Sequence, residues 1–392
     1  MTHVFVVDDT TFKYHLEYLF AGTCAKQDAV FLKDEQYINP KKKENGLTPK
    51  QELTIAGMIA DISRIRENDT ILFYLQQSKF HEGMFFGVFR AIEKPFFDSN
   101  DNNFLADKMG VSLHFRVKIE PYEVYPYGIT EHEALDEIGP TTHPSEMCWS
   151  LIYRKLKGKR GCIMITDYES KVLIDKIKLK NEIYHKINSP LQSNYFSFNS
   201  SENRIVITEN KTQYTGEQSG IDISKRMFAK AKRRQAYEAH LQAYIIQNCD
   251  TEKLFSLLAP CSDLPLWIGN EVSCGVGMQS IDTMLIQEDE DNIYLRIVEL
   301  KCIEPYDGII DYQLPWYIKW VKMYLSPLYK HKTVHIFPTI LACKINDQNK
   351  LTSYIQKCKS STGWRAGHTF IHDIEYIGYT INDDEIVFEK IV

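Results

Sequence analysis

The sequence predicts an α/β chain, α+β overall, in two domains. Three observations carry that prediction. At 392 residues the chain exceeds what a single hydrophobic core comfortably serves. Residues 1–185 alternate strand-like segments, rich in β-branched and aromatic residues, with short helical ones, a small mixed-barrel pattern rather than a parallel βαβ series. Residues 221–392 read as helix, hairpin, helix and strand, which predicts an α/β core around a central mixed sheet. Residues 186–220 shift to Ser, Asn, Gln and Gly, the composition of a linker, with one strand at 204–208.

Each element has its own local reason. In the first part, residues 3–7, 70–76, 85–92 and 111–119 are expected as strands. Residues 52–65 carry the apolar spacing of an amphipathic helix, and 149–156 a weaker version of it. A short strand at 161–165 leads into a closing helix at 168–177. In the second part, residues 222–247 hold helix-forming residues over one long span, and 251–258 form a shorter helix. Hairpin strands at 280–286 and 293–301 come next, then a helix at 312–324, a strand at 333–342 and a helix at 351–359. Terminal strands are expected near 376–379 and 386–388.

Composition narrows the function classes. The fractions of hydrophobic (44%) and charged (25%) residues are those of an ordinary soluble globular protein. No apolar run reaches the roughly 18–20 residues that span a bilayer, so no membrane partner is expected. The first residues turn acidic at Asp8 and Asp9 without a basic n-region, which predicts a cytoplasmic protein without a signal peptide. Nine cysteines, an odd number with no C-x-x-C, argue against a disulfide framework and a zinc ribbon and for buried thiols.

The net charge of −6 argues weakly against nucleic-acid binding, but its distribution argues the other way. Arg154, Lys155, Lys157, Lys159 and Arg160 crowd one stretch, and Lys225, Arg226, Lys230, Lys232, Arg233 and Arg234 another. Acidic residues collect at 288–291 and 383–385. Local basic patches suit a surface that meets phosphates on one side, so Arg154, Lys157, Arg160, Lys232, Arg233 and Arg234 are candidate DNA-backbone contacts. Each cluster is equally well read as a solvated helix or loop face.

The hairpin carries the chemistry. It places Asp282 on its first strand and Glu299 and Lys301 at the end of its second. Residues two apart on a strand share a face, so Glu299 and Lys301 project together while Val298 and Leu300 turn into apolar packing. Two carboxylates and an ammonium at one end of a sheet suit a divalent cation and a water beside a phosphodiester. Mg²⁺ is the expected ion, with Mn²⁺ able to substitute, and Asp282 and Glu299 are its expected ligands. Lys301 is expected to acidify the attacking water or to stabilise developing negative charge.

Glu238, on the preceding helix, is expected to face the same cluster, although a glutamate on a charged helix is as often a solvated face. Gln313, at the start of the following helix, is expected to orient the water or Lys301. Glu271, close to Gly275 and Gly277, is a competing third carboxylate. An Asp followed at this distance by Glu-x-Lys arises by chance in many proteins. What raises this one is its place at the end of an apolar strand, with Glu238 before it and Gln313 to Tyr317 after it.

These segments also carry a resemblance. Ser280-Ile281-Asp282-Thr283, then Val298-Glu299-Leu300-Lys301, then Asp311-Tyr312-Gln313-Leu314-Pro315-Trp316-Tyr317 resemble the PD-(D/E)XK nuclease superfamily. They are especially similar to its NucS-type branch, in which a glutamine-bearing helix with an aromatic four residues later follows the Glu-x-Lys strand. The resemblance covers residues 222–345 and departs from the idealised motif at Ile281, where a proline is expected. It implies a restriction-endonuclease-like fold in which Asp282, Glu299 and Lys301 are catalytic and Gln313 belongs to the same motif.

Upstream, residues 64–75 followed by Gly83-Met84-Phe85-Phe86-Gly87-Val88-Phe89 resemble the EVE and PUA-like group of small barrels, over residues 1–180. That resemblance implies an aromatic-lined pocket for a single flipped base. Tyr74, Phe80, His81, Trp149 and Tyr153 are its candidates, although strand aromatics normally pack inward. His81 lacks a second histidine at ligand spacing, so it is not expected to hold a metal.

Together these readings predict a Mg²⁺-dependent DNA endonuclease of restriction type, with an N-terminal reader of a modified base or short sequence. A double-strand break favours a homodimer. A structure-specific repair nuclease and a non-catalytic reader of modified nucleic acid are the rivals. No glycine-rich phosphate loop follows a strand and no nucleophile elbow is present, which disfavours a metabolic enzyme.

Overall fold

The structure, a computed structural model, describes residues 1–23, 49–100, 103–135, 143–153, 161–275, 279–360 and 364–392, with the side chains of 49–51, 152–153 and 364 outside the description. The chain is mixed α/β and divides into two compact units, the second beginning its continuous run at Asp222.

The first unit runs β1 (Thr2–Val7), α1 (Asp9–Tyr18), β2 (Phe20–Thr23), α2 (Pro49–Ser63), β3 (Thr70–Leu75), β4 (Met84–Ala91), β5 (Phe96–Asp98), α3 (Ala106–Met109), β6 (Phe115–Pro121), β7 (Ile129–Thr130), α4 (Glu131–Leu135), α5 (Trp149–Tyr153), β8 (Cys162–Ile165), α6 (Asp167–His185), β9 (Phe196–Asn199), β10 (Arg204–Ile207) and β11 (Gln218–Ser219). Its main sheet has the order β11-β5-β6-β4-β3-β1-β8, with β2 on β6 and β7 on β4. The central strands β1 and β3 pair in parallel. Val4, Phe5, Leu72 and Phe73 are fully buried, which is why these two strands read as near-continuous apolar runs.

Helices α1 and α6 open on reciprocal caps. Thr11 N–H donates to Asp8 Oδ1 at 2.7 Å at the start of α1. At the start of α6, Glu169 N–H donates to Thr166 Oγ1 at 3.2 Å and Thr166 N–H to Glu169 Oε2 at 2.8 Å.

Two expectations change here. The strand expected at 111–119 starts only at Phe115, because Gly110, at φ 68°, still caps α3. The segment expected as a linker, 186–220, folds within the first unit. Its β9 and β10 form an antiparallel hairpin, and β11 pairs with β5. The polar composition conceals a buried alternate set, Phe196, Phe198 and Ile205, and the Phe198 ring lies 5.0 Å from that of Phe12.

The second unit runs α7 (Ser224–Lys232), α8 (Glu238–Asn248), α9 (Glu252–Leu258), β12 (Trp267–Ser273), β13 (Ser280–Glu288), β14 (Asn292–Lys301), a π-helical turn (Ile309–Gln313), α10 (Leu314–Tyr324), β15 (Thr333–Cys343), α11 (Gln348–Ser360), β16 (Trp364–Ala366), β17 (Thr369–Ile371), β18 (Glu375–Asn382) and β19 (Glu385–Lys390). Its sheet follows β12-β13-β14-β15-β17-β16, with β18 joining β15 to β19. The first three strands are an antiparallel meander, and β15 returns parallel to β14 over ten residue pairs.

The single helix expected over 222–247 is two. Arg234 takes φ 53°, its N–H donates to Ala231 O at 2.9 Å, and Gln235 N–H donates to Lys230 O at 3.0 Å. That is a Schellman ending with arginine where glycine is usual, so no glycine announces the break. Glu238 then stands in the first turn of a new helix. Among the described residues, no helix is long and apolar enough to cross a membrane.

Candidate active site

The hairpin is set by its turn and its core face. Asp289 Oδ1 accepts the N–H groups of Asp291 at 2.9 Å and Asn292 at 2.7 Å, which closes the acidic turn. Ile293, Leu295 and Ile297 are fully buried along β14. The register pairs Thr283 with Val298, so one residue further on Asp282 stands opposite Glu299 on the same face.

At that end of the sheet the charged side chains meet. Lys301 Nζ lies 2.7 Å from Glu299 Oε1 and 3.4 Å from Glu238 Oε1, and donates to Leu300 O at 2.8 Å. Leu300 N–H donates to Asp282 Oδ2 at 2.8 Å. Asp282 Oδ1 accepts no hydrogen bond from the described residues. Two carboxylates thus hold one ammonium, and the charge of a third, Asp282, reaches it. Burial, and then the neighbouring Glu299, push Asp282 well above the usual carboxylate range. Burial opposes the Lys301 ammonium, but Glu299, Asp282 and Glu238 together hold it above its ordinary value, so it is a cation at neutral pH.

Neighbouring groups fix this geometry. Tyr317 OH donates to Glu299 Oε2 at 3.0 Å, and burial followed by the Glu299 charge pushes its pKa up, so the proton stays on the phenol. Gln242 Nε2 donates to Asp282 O at 2.6 Å. Tyr379 OH donates to Lys301 O at 3.1 Å and lies 3.0 Å from Tyr237 OH, the residue before Glu238. The buried Cys274 thiol is pushed up to about 12 by burial and by Glu299 and Asp282.

Of the residues expected from sequence, Asp282, Glu299, Lys301 and Glu238 are brought together. Gln313 ends the π-helical turn, one turn before Tyr317, and its Oε1 is buried without a hydrogen-bond partner. Glu271, on β12, falls between the Asn270–Thr283 and Val272–Ile281 pairs, the place facing Asp282 of β13, with φ 44° in the left-handed region. Among the described residues, no group of three or more His, Cys, Asp or Glu is arranged to hold a metal. Tyr317 and Gln242 were not expected as site residues. Each lies four residues after one that was, Gln313 and Glu238, and that helical spacing is the signal that points to them.

The described candidates for the base pocket divide between core and surface. Tyr74 is fully buried on β3, its OH donating to Glu131 Oε2 at 2.7 Å and its ring 4.9 Å from Phe85. Trp149 is buried in α5. Both are core residues, because large aromatics on these elements gain more from burial than from exposure. Phe80 is 86% exposed, while His81 Nε2 lies 2.7 Å from Asp9 Oδ1. The Tyr153 side chain and all of Arg154, Lys157 and Arg160 lie outside the described residues.

Lys232, the last residue of α7, and Arg233 and Arg234 after it are exposed, with Lys232 paired to Asp384 at 3.0 Å. Arg226 and Lys230 of the same cluster are buried, so the basic run divides between interior and surface. A cavity of about 710 Å³ opens on the other side of α10, between Leu314, Ile318, Met323, Pro338 and Ile371, and none of the carboxylates lines it. No protein-family model and no curated protein matches the chain.

Proposed function

We propose that the second unit is a Mg²⁺-dependent DNA endonuclease of restriction type with the restriction-endonuclease-like core of the PD-(D/E)XK superfamily, and that the first unit is its EVE- or PUA-like reader. The observation that carries this reading is the convergence of Asp282, Glu299 and Lys301 at the end of one mixed sheet, with carboxylates in excess of ammonium. The donor set fits a hard divalent ion. It offers carboxylate oxygens, one of them unpartnered, in a partly buried place where like charges repel.

Asp282 and Glu299 would hold the ion, which when bound neutralises phosphoryl oxygens and acidifies water. Lys301, already protonated and with its N–H groups on Glu299, Glu238 and the Leu300 carbonyl, would offset through its positive charge the negative charge that develops on the phosphate. Tyr317 keeps Glu299 in one rotamer, and Gln242 keeps the β13 backbone in place under Asp282. Gln313, with a buried amide oxygen still unpartnered, is the group available to orient water. A double-strand break then takes two copies, one active site for each strand.

A second reading, a structure-specific nuclease, is favoured by one observation. Tyr312 and Trp316, 77% and 43% exposed, lie about one helical turn apart beside Gln313. Stacking on such rings contributes about 1–3 kcal/mol per unpaired base.

The test compares wild type with Glu299→Ala and Lys301→Ala on plain, base-modified, mismatched and branched duplexes in Mg²⁺ or Mn²⁺. The expected result is metal-dependent cutting by wild type and a loss of about 10²–10³-fold or more in each variant. Undiminished cutting by both variants overturns the assignment. Preference for branched or mismatched DNA selects the second reading. Tight binding without cutting under any divalent ion makes the chain a non-catalytic reader.

A further inference from the structure

The sheet of the second unit carries a second set of ligating atoms on its other face. Glu299 and Tyr294 differ by an odd number of positions along β14, so their side chains point to opposite sides. Tyr294 is paired with His335 of β15, and His335 with Phe370 of β17. The three rings stack, His335 lying 5.4 Å from Tyr294 at 16° and 5.4 Å from Phe370 at 8°. His372, one residue beyond β17, stacks on Phe337 at 4.1 Å and 6°. The two half-buried histidines are thereby held face-on to fixed neighbours, with His335 Nδ1 3.1 Å from His372 Nε2.

The far side of His335 is also arranged. Its Nε2 faces Asn292 Oδ1 at 3.4 Å, and Asn292 Nδ2 donates to the Asp289 carboxylate oxygens at 3.2 and 3.3 Å. An amide oxygen only accepts, so Nε2 of His335 carries the proton and Nδ1 presents its lone pair towards His372. An imidazole whose second nitrogen is tied to an oriented acceptor is the usual form of a metal-ligating histidine. With metal–nitrogen bonds of about 2.0–2.1 Å, two nitrogens sharing one ion lie about 2.9 Å apart at a right angle and about 3.3 Å apart at a tetrahedral one. The observed 3.1 Å falls between them.

We propose that His335 and His372 form a site for a nitrogen-preferring divalent transition ion such as Zn²⁺ or Ni²⁺, distinct from the carboxylate cluster and on the opposite face of the same sheet. Water completes the coordination. For neutral rings the His372 proton moves from Nε2 to Nδ1 when the ion enters, so no net proton is released. Mg²⁺, which takes oxygen ligands, is not accepted there. Bound metal would pin β15 to the chain that follows β17.

The experiment is calorimetric titration of the full chain with Ni²⁺ in saturating Mg²⁺ and a non-thiol reductant. Wild type is expected to bind one equivalent, His335→Gln and His372→Gln to bind at least about tenfold more weakly, and Asn292→Ala to lose about tenfold through misorientation of His335. Circular dichroism establishes that each variant is folded. A second measurement counts the nitrogens directly. Electron paramagnetic resonance of one bound Cu²⁺ is expected to show coupling to two imidazoles in wild type and to fewer in His372→Gln. Absence of Ni²⁺ binding by folded wild type, or equal affinity in wild type and both glutamine variants, overturns the proposal. Because no step uses DNA or Mg²⁺ chemistry, the result is independent of the nuclease reading.

Discussion

Two buried charge clusters, one in each unit, are built in opposite ways. In the first, Arg116 is fully buried and each of its three side-chain nitrogens has a partner. It lies 3.1 Å from Asp98 Oδ2 and donates to Tyr214 OH at 3.1 Å, Leu113 O at 2.6 Å and Phe104 O at 2.6 Å. Asp98 in turn accepts the N–H groups of Asn100 at 3.1 Å and Phe104 at 2.7 Å. In the second unit, Glu299 and Glu238 share the single ammonium of Lys301, Asp282 feels its charge, and an oxygen of Asp282 has no partner among the described residues. A saturated buried pair fixes a loop and asks for nothing more. An unsaturated one keeps like charges together against their repulsion, which a fold tolerates where a further partner belongs.

Acid should separate the two most strongly. His3 and His15 of the first unit are buried, and burial pushes both down to about 4 despite the Asp69 partner of His3 and the Thr11 carbonyl partner of His15. Between about pH 6.5 and pH 4 the unfolded chain binds protons that the folded unit refuses, so stability falls as pH drops through that window, by on the order of 3 kcal/mol per histidine. Asp282 has the opposite sign. Its raised pKa means that the folded state takes up the extra proton, so mild acid relieves the second unit. Urea titrations at pH 7.5 and pH 5, read separately for each unit, check this. A first-unit midpoint that does not fall in acid breaks the contrast.

Asp98→Ala comes next in size. It leaves the Arg116 guanidinium buried without its counter-charge and is expected to destabilise the first unit by about 3–5 kcal/mol in denaturant melts. A loss below about 1 kcal/mol means that the pair is not structural. The smallest effect has the reverse sign. Asp282→Asn keeps an acceptor for Leu300 N–H and removes the repulsion with Glu299, so the melting midpoint of the second unit is expected to rise by the equivalent of about 1–2 kcal/mol while cutting is lost. A fall in stability instead makes Asp282 a structural group.

The legibility of the chain follows the same divide. The hairpin, the Glu299-x-Lys301 strand end and the helix that begins near Gln313 were readable because period-2 and helical patterns, turn acids and apolar strand residues agree there. The α+β character was readable for the same reason. The ending of α7 was not, because Arg234 occupies a backbone conformation that sequence patterns assign to glycine. The Ser- and Asn-rich segment hid its strands, since Phe196, Phe198 and Ile205 are a thin apolar minority in a polar stretch. Tyr74 and Trp149 illustrate a different limit. An aromatic residue states its size, but tertiary packing decides whether it faces a ligand or the core.

The Schellman break at Arg234 has a consequence for how the chain tolerates change in length. Along one continuous helix, inserting a residue anywhere upstream would turn Glu238 by about 100° and carry its carboxylate away from Lys301. With α7 ended and α8 begun afresh at Glu238, the angular position of that carboxylate is reckoned from α8 alone. The loop at 233–237 works as a clutch, so insertions and deletions within α7 leave the phase of the carboxylate cluster untouched.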